Sequence, residues 1–331
     1  MKCIIVTDTH LGYKAASDDY HNITINLFDK IIDYAKGLEI TTLIHGGDFF
    51  DSRKSISVKS IPIAYYDIMD KLSSTFENIY LLVGNHDTYY KNKIDPTSLD
   101  IFKEYNNIYI VKEPLKVGNI HLQPWLVDDF EPMNTKYCIG HFEINSIPIN
   151  KIGTEYNKGL PVSLFKDYDK VMSGHFHTKS LTNNIVYLGS PYHMTFNDDG
   201  PRGFYLFDDN TGDLTFIEFT EYPKFIAFNF DKIDYDIIEG NNIKIVFTED
   251  IGNTKINNIN NKVLDKKPNQ LFVEFNFDSV FYNDVNGQEI DQIIDIRTIE
   301  KQYLDNADIP EYLDRNKIDN HMEILWEKLS G

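Results

Sequence analysis

Five short polar motifs constrain this chain more than any other feature, because each one directly follows an apolar run. Lys2–Thr7 (KCIIVT) leads into Asp8-Thr9-His10, and Thr42–His45 (TLIH) into Gly46-Gly47-Asp48. Ile79–Val83 (IYLLV) leads into Gly84-Asn85-His86-Asp87. The runs at 137–140 and 170–173 end in Gly140-His141 and in Gly174-His175-Phe176-His177. Short apolar runs bounded by Gly and polar residues read as buried strands. Between the first three lie helical patterns: 20–37, with Ile23, Leu27, Ile31, Ile32 and Ala35, and 57–72, with Ile61, Tyr65, Ile68 and Leu72. Strand–helix–strand units of this kind predict an α/β chain of layered β-sheets flanked by helices. In such sheets ligands gather outside the carboxyl ends of the strands. Asp8, Asp48, Asn85 and five of the ten His would therefore meet in one crevice.

Further strands are predicted near 108–111, 119–122 and 185–188, and a hairpin over 203–219 turning at Asn210–Gly212. After Pro223 the pattern changes. Strands over 225–230, 243–248 and 271–277, with a helix over 252–264, make a small α+β unit. From 288 onward the pattern is helical and acidic, and Leu313, Ile318, Met322, Leu325 and Leu329 lie near one stripe. The expected organisation is a catalytic domain over 1–220, a capping domain over 221–285 and an acidic helical tail over 286–331. A chain of 331 residues suits two domains at about 150 residues each plus a small element. Cys3 and Cys138, the two cysteines, sit in strand-like runs and exclude a disulfide framework or a Cys-rich zinc site. No run of about 18 apolar residues suggests a membrane span, and the start has no signal-peptide layout. The expected location is the cytoplasm, that of a host cell if a phage encodes the chain.

Asp, His and Asn donors without thiolate suit Mn²⁺, Fe or Zn better than a structural Cys site. Seven of these eight as ligands exceed the needs of one metal and suffice for two if a carboxylate bridges. Two metals roughly 3.5–4 Å apart clamp the attacking and leaving oxygens of a phosphoryl displacement. Any one of these motifs alone is commonly a strand end or a turn. All five in this order are not.

D-x-H, G-G-D, G-N-H-D, G-H and G-H-x-H, in that sequence, resemble the calcineurin-type metallophosphoesterase superfamily. Gly47-Asp48-Phe49-Phe50-Asp51, the loop Leu188-Gly189-Ser190-Pro191 and the regions after the catalytic part make the chain similar to the SbcD-type DNA repair nucleases. Its length and composition are most similar to the nuclease subunits of T-even-type bacteriophage recombination complexes. The resemblance implies a metallophosphoesterase sandwich with a small capping domain and C-terminal helices. It implies two divalent cations, Mn²⁺ first, with Mg²⁺, Fe or Zn as alternatives. Asp8, His10, Asp48 and His177 would hold one cation; Asp48, Asn85, His141 and His175 the other. His86 would face the scissile phosphate, oriented by Asp87. The implied activity is 3′→5′ double-strand exonuclease and single-strand endonuclease cleavage in recombination and repair. The implied partners are DNA, a coiled-coil SbcC-type ABC ATPase and a second copy of the chain. The 310–329 stripe is a candidate docking helix for the ATPase, or it packs on its own domain. Asp51 stands where another branch carries a second His, so that role is not transferred. The alternative reading is a small-nucleotide or phosphoprotein phosphoesterase of the same fold.

Composition opposes a nucleic-acid partner at first sight: 32 basic against 51 acidic residues give a net charge of −19. Charge counts where the substrate sits, however. Two divalent cations would bring +4 against the −2 of Asp8 and Asp48, so the centre is locally positive. Much of the acid lies elsewhere; residues 284–319 carry ten Asp/Glu against four Lys/Arg. The loops after the motifs carry bases expected to contact phosphate: Lys14, Arg53, Lys54, Lys59, Lys91, Lys93, Lys151, Lys158, Lys179 and Arg202. Asp51, Ser190 and His193 join them as candidate substrate contacts. His45 reads as a core residue or one behind the ligands, His121 as a half-buried strand residue, and His21 and His321 as surface residues.

Overall fold

The computed structural model describes residues 1–125, 130–147, 158–198 and 200–276. β1 (Lys2–Val6) is buried on both faces, which explains its unbroken apolar run. Cys3 and Ile5 join one core while Ile4 and Val6 join another, as the two-residue period of a strand requires. Helix α1 (Asp18–Leu38) follows, capped by the Ser17 side chain, which accepts from the Tyr20 amide. Then come β2 (Thr42–His45), a helical run over 60–75, β3 (Asn78–Leu82) and β4 (Ile108–Val111). β5 (Leu115–Val117), β6 (Ile120–Gln123), β7 (Tyr137–His141), β8 (Lys170–Gly174), β9 (Ser180–Thr182) and β10 (Ile185–Tyr187) build a second sheet. β11 (Arg202–Asp208) and β12 (Asp213–Phe219) form the expected hairpin.

The first sheet runs β12-β11-β1-β2-β3-β4, with β1 to β4 parallel and the hairpin antiparallel to β1. The second runs β5-β6-β7-β8-β10-β9, parallel through its four inner strands. One apolar layer joins the two sheets: Cys3, Ile5, Ile44 and Leu82 meet Ile120, Leu122, Ile139 and Met172. α1 and the 60–75 run cover the outer face of the first sheet through Leu27, Phe28, Ile31, Ile68 and Leu72. The parallel strands of both sheets end in polar motifs, and the layering brings the two sets of ends together.

The third sheet is wholly parallel: β13 (Phe225–Asn229), β14 (Asn242–Phe247) and β15 (Gln270–Phe275). Helix α2 (Asn253–Leu264) crosses over between β14 and β15, and Ile243, Ile245, Phe247, Ile256 and Val263 close a separate small core. Residues 1–277 form one compact unit that includes this sheet. The acidic tail, the Leu313–Leu329 stripe, His321 and Lys151 lie outside the described residues. Among the described residues no helix is long and apolar enough to cross a membrane.

Three local readings are corrected. The helix expected over 57–72 is a run over 60–75 interrupted by a π-helical turn, Ile63–Met69. His21 is not a surface residue: the buried stripe of α1 includes it, and its Nε2 lies 2.9 Å from Ser60 Oγ. His121 is fully buried because β6 is an inner strand; the Tyr168 hydroxyl donates to its Nδ1 at 2.7 Å.

Candidate metal centre

The five motifs converge. Asp8, His10, Asp48, Asn85 and His141 are all buried, with His175 and His177 half-buried beside them. Three groups place ligand atoms within 4.8 Å of one another: Asp8, His10 and His177; His10, Asp48 and His86; Asp48, His141 and His175. Asp48 belongs to two of these groups, one with His10 and His86 and one with His141 and His175, and His10 likewise belongs to two.

Local backbone chemistry delivers the side chains. Asp8, His10, Asp48 and His175 all have positive φ, at 54°, 43°, 55° and 87°. Such conformations cost of order 1–3 kcal/mol each and persist where the surroundings over-determine them. Here the loops are cross-laced: the Asp8 amide donates to Gly47 O at 3.0 Å and the His10 amide to Asp48 O at 3.1 Å. The His86 amide donates to Asp48 Oδ1 at 2.7 Å, and the His175 amide to Asp8 Oδ1 at 3.0 Å. Gly84 is required by close approach, since a Cβ there would overlap the Asp48 backbone and carboxylate.

The donor set fits divalent cations on a structural ground. His141 Nδ1–H donates to Gly46 O at 3.0 Å, and its Nε2 faces Asn85 Oδ1 at 2.9 Å and Asp48 Oδ2 at 3.2 Å. His175 Nε2 faces Glu143 Oε1 at 3.2 Å, which leaves Nδ1 aimed at the same Asn85 oxygen, also at 2.9 Å. His10 and His177 present their Nε2 atoms to each other at 3.1 Å. Ring nitrogens and an amide oxygen that converge this closely are the donor types a divalent cation takes, and the contacts on the far side of His141 and His175 orient the rings. The site's field favours positive charge. Burial works against ionisation of Asp48, yet His141 beside it holds the carboxyl well below the usual range. Burial likewise opposes protonation of His141, but Asp48 outweighs it and raises the ring to about 9. Burial and then the neighbouring His10 depress His177 to about 4, so that ring is a neutral donor.

A family model for calcineurin-like phosphoesterases matches residues 1–179. The chain belongs to the calcineurin-like phosphoesterase family. It is 34% identical over 265 residues to exonuclease subunit 1 of Enterobacteria phage T4, covering 75% of this chain and 77% of that protein. It is 25% identical over 183 residues to the DNA double-strand break repair protein Mre11 of Methanosarcina acetivorans, covering 53% of this chain and 25% of that protein. As a calcineurin-like phosphoesterase the chain is a metal-dependent hydrolase, and the mixed α/β layers carry its divalent-metal groups.

Other expected residues fall in different places. His86 is half-buried, and its Nδ1–H donates to the Asp51 carbonyl. The Asp51 carboxylate lies 3.4 Å from His10 Nδ1. Asp87 does not orient His86. Its buried carboxylate accepts from the amides of Gly84, Phe49 and Phe50 at 2.9, 3.3 and 3.1 Å, pinning one motif loop to another. Burial and then Asp48 push that carboxyl up to about 7 against these three amides.

Ser190 and His193 are not open to substrate. Ser190 is buried and donates to Tyr192 O at 3.0 Å. His193 Nε2–H donates to Gly200 O at 3.1 Å while its Nδ1 accepts from the Phe225 amide at 3.3 Å, so both nitrogens are spent on backbone. Arg202 is also buried, with 1% exposure, and cannot meet phosphate. Lys14 is exposed but leans over the Phe225 and Tyr20 rings, at 4.7 and 5.5 Å. Lys59 pairs with Asp18 at 2.6 Å, and Lys179 lies over Phe216 at 3.8 Å. Lys54, Lys91, Lys93 and Lys158 are exposed; Arg53 is half-buried.

Sequence reasoning passed over Glu143 and Trp125. The Trp125 ring lies 5.4 Å from His175 and 6.0 Å from His141. Glu143 stood two residues past the G-H motif, the one signal that could have marked it.

Proposed function

We propose that the chain is a two-metal DNA nuclease that hydrolyses phosphodiester bonds during recombination and repair. The observation that carries this reading is Asp48, buried, with its Oδ2 3.8 Å from His10 Nε2 and 3.2 Å from His141 Nε2, one histidine from each set. Asp8, His10, Asp48 and His177 would hold one cation, and Asp48, Asn85, His141 and His175 the other. Two divalent cations held there, Mn²⁺ first, would supply the Lewis acidity that brings the pKa of water near neutral and polarises the phosphodiester.

The protein's own groups orient and protonate. With Nδ1–H committed to the Asp51 carbonyl, His86 carries a second proton on Nε2 only as imidazolium. In that form it donates to a phosphate oxygen or to the leaving alkoxide. Asp87 keeps the loop in place. Lys54, Lys91 and Lys93 are exposed on loops after the motifs and are suited to hold a DNA backbone without reading sequence.

The likeness to the phage exonuclease subunit supports DNA as substrate. The reading includes 3′→5′ double-strand exonuclease and single-strand endonuclease activity and a homodimer in the cytoplasm. It includes a catalytic part over 1–220, a capping part over 221–285 and a tail over 286–331 that docks an SbcC-type ABC ATPase. End-labelled duplex DNA and bis-p-nitrophenyl phosphate, each with Mn²⁺, form the test. Mn²⁺-dependent shortening of the duplex is the expected result. Hydrolysis of the small ester with intact DNA would instead make the chain a phosphatase or small-nucleotide phosphodiesterase.

A further inference from the structure

Arg202, at the start of β11, is a charged side chain with 1% exposure, and its environment is specific. Nη2 donates to Asp198 Oδ1 at 3.1 Å. Asp198 is itself buried, and its Oδ2 accepts from the amides of Met194 and Thr195 at 2.8 and 2.7 Å. Nη1 donates to the His177 backbone carbonyl and to Ser190 Oγ, the latter at 3.2 Å. The same His177 carbonyl accepts from the Ser190 amide at 3.2 Å. One guanidinium therefore joins three chain segments: the end of the G-H-x-H loop, the Gly189-Ser190-Pro191 turn and the 194–198 loop.

A buried ion pair is weak ground for stability, because desolvation offsets its attraction. The fork of arginine is instead suited to fixing two directions at once, which an ammonium cannot do. What it fixes here is a metal-facing residue. His141 and His175 each place a second ring nitrogen on the protein, against Gly46 O and Glu143. His177 differs. Its ring Nε2 meets His10, a fellow member of the cluster, and the bonds that place it from outside run through its carbonyl.

We infer that Arg202 is a positioning residue for one of the two cations, holding His177 through its backbone carbonyl while leaving the other cation's residues untouched. This rests on the two-metal reading above. Partners behind a ligand typically change metal affinity 10–100-fold when removed, so the expected effect is selective.

The test is Mn²⁺ titration of the full chain, followed by electron paramagnetic resonance, with no substrate present. The double variant Arg202→Met, Asp198→Asn removes both charges together, so neither is left buried alone. The cation site that His10→Ala abolishes should weaken about 10–100-fold in this variant. The site that His141→Ala abolishes should stay unchanged. Arg202→Lys, which keeps the charge but lacks the planar fork, should fall between the unaltered chain and the double variant. If the double variant unfolds, Arg202→Lys alone decides by the same selective weakening. No weakening at either site, or an equal loss at both, would overturn the inference. Fewer than two Mn²⁺ on the unaltered chain would overturn the two-metal reading and this inference with it.

Discussion

Three histidines of the site spend one ring nitrogen on the protein and leave the other facing the cluster. His141 leans on Gly46 O, His175 faces Glu143 and His86 leans on the Asp51 carbonyl. For His86 the account predicts a clean separation of roles. His86→Ala should retain two Mn²⁺ and lose about 10²–10⁴-fold in the rate of DNA cleavage, a typical general-acid contribution. Metal content of the purified variant, measured beside its rate, checks this; loss of a metal would make His86 a ligand. His45 is the opposite case. Both its nitrogens are satisfied, Nδ1 by the Gly47 amide and Nε2 by Thr9 Oγ1, and burial depresses its pKa from 6.5 to about 3. The folded protein thus binds its proton less readily than the unfolded chain does. The stabilisation is complete above pH 6.5 and is lost as the pH falls toward 3. Thermal unfolding of the metal-free chain from pH 7 to 4 should show a falling midpoint, and His45→Gln should flatten that slope. Residue identity did not disclose the roles of Asp87, Ser190, His193 and Arg202, because their partners are largely backbone groups brought in by distant segments.

At the scale of elements, the apolar runs announced their strands because β1, β2, β7 and β8 are buried on both faces. The polar motifs at their ends were equally visible, which is why the ligand cluster was legible before any coordinates. β5 and β9 were not foreseen. Each is three residues long at a sheet edge, too short and too exposed to show a pattern. The π-helical turn Ile63–Met69 was also hidden, since no residue type marks it; Ile61 of the expected stripe is exposed, while Ala64 and Met69 are buried. The loop ends are more demanding than the strands. Gly84→Ala would drive a Cβ into the Asp48 amide and carboxylate, neither of which can withdraw without moving Asp48. The expected cost is about 1–3 kcal/mol of stability, in line with overpacking, together with loss of at least one Mn²⁺. Chemical denaturation and a metal titration of the variant read the two effects separately.

For the whole molecule, net charge alone points the wrong way. A chain at −19 looks unsuited to DNA, yet the phosphate-facing centre is a place where two cations would outweigh two carboxylates. The acidic tail is better matched to a basic protein surface than to DNA. On the proposed reading, deleting residues 306–331 should abolish co-purification with the proposed ATPase partner while the proposed Mn²⁺-dependent DNA cleavage persists. Retained co-purification would move the docking surface elsewhere. The central claim is that Asp48 bridges two cations, and anomalous scattering from a crystal of the chain grown with Mn²⁺ addresses it most directly. The account predicts two peaks roughly 3.5–4 Å apart, one against Asp8, His10 and His177, the other against Asn85, His141 and His175, with Asp48 between them. A single peak, or a peak held by His86 in place of Asp48, would contradict it.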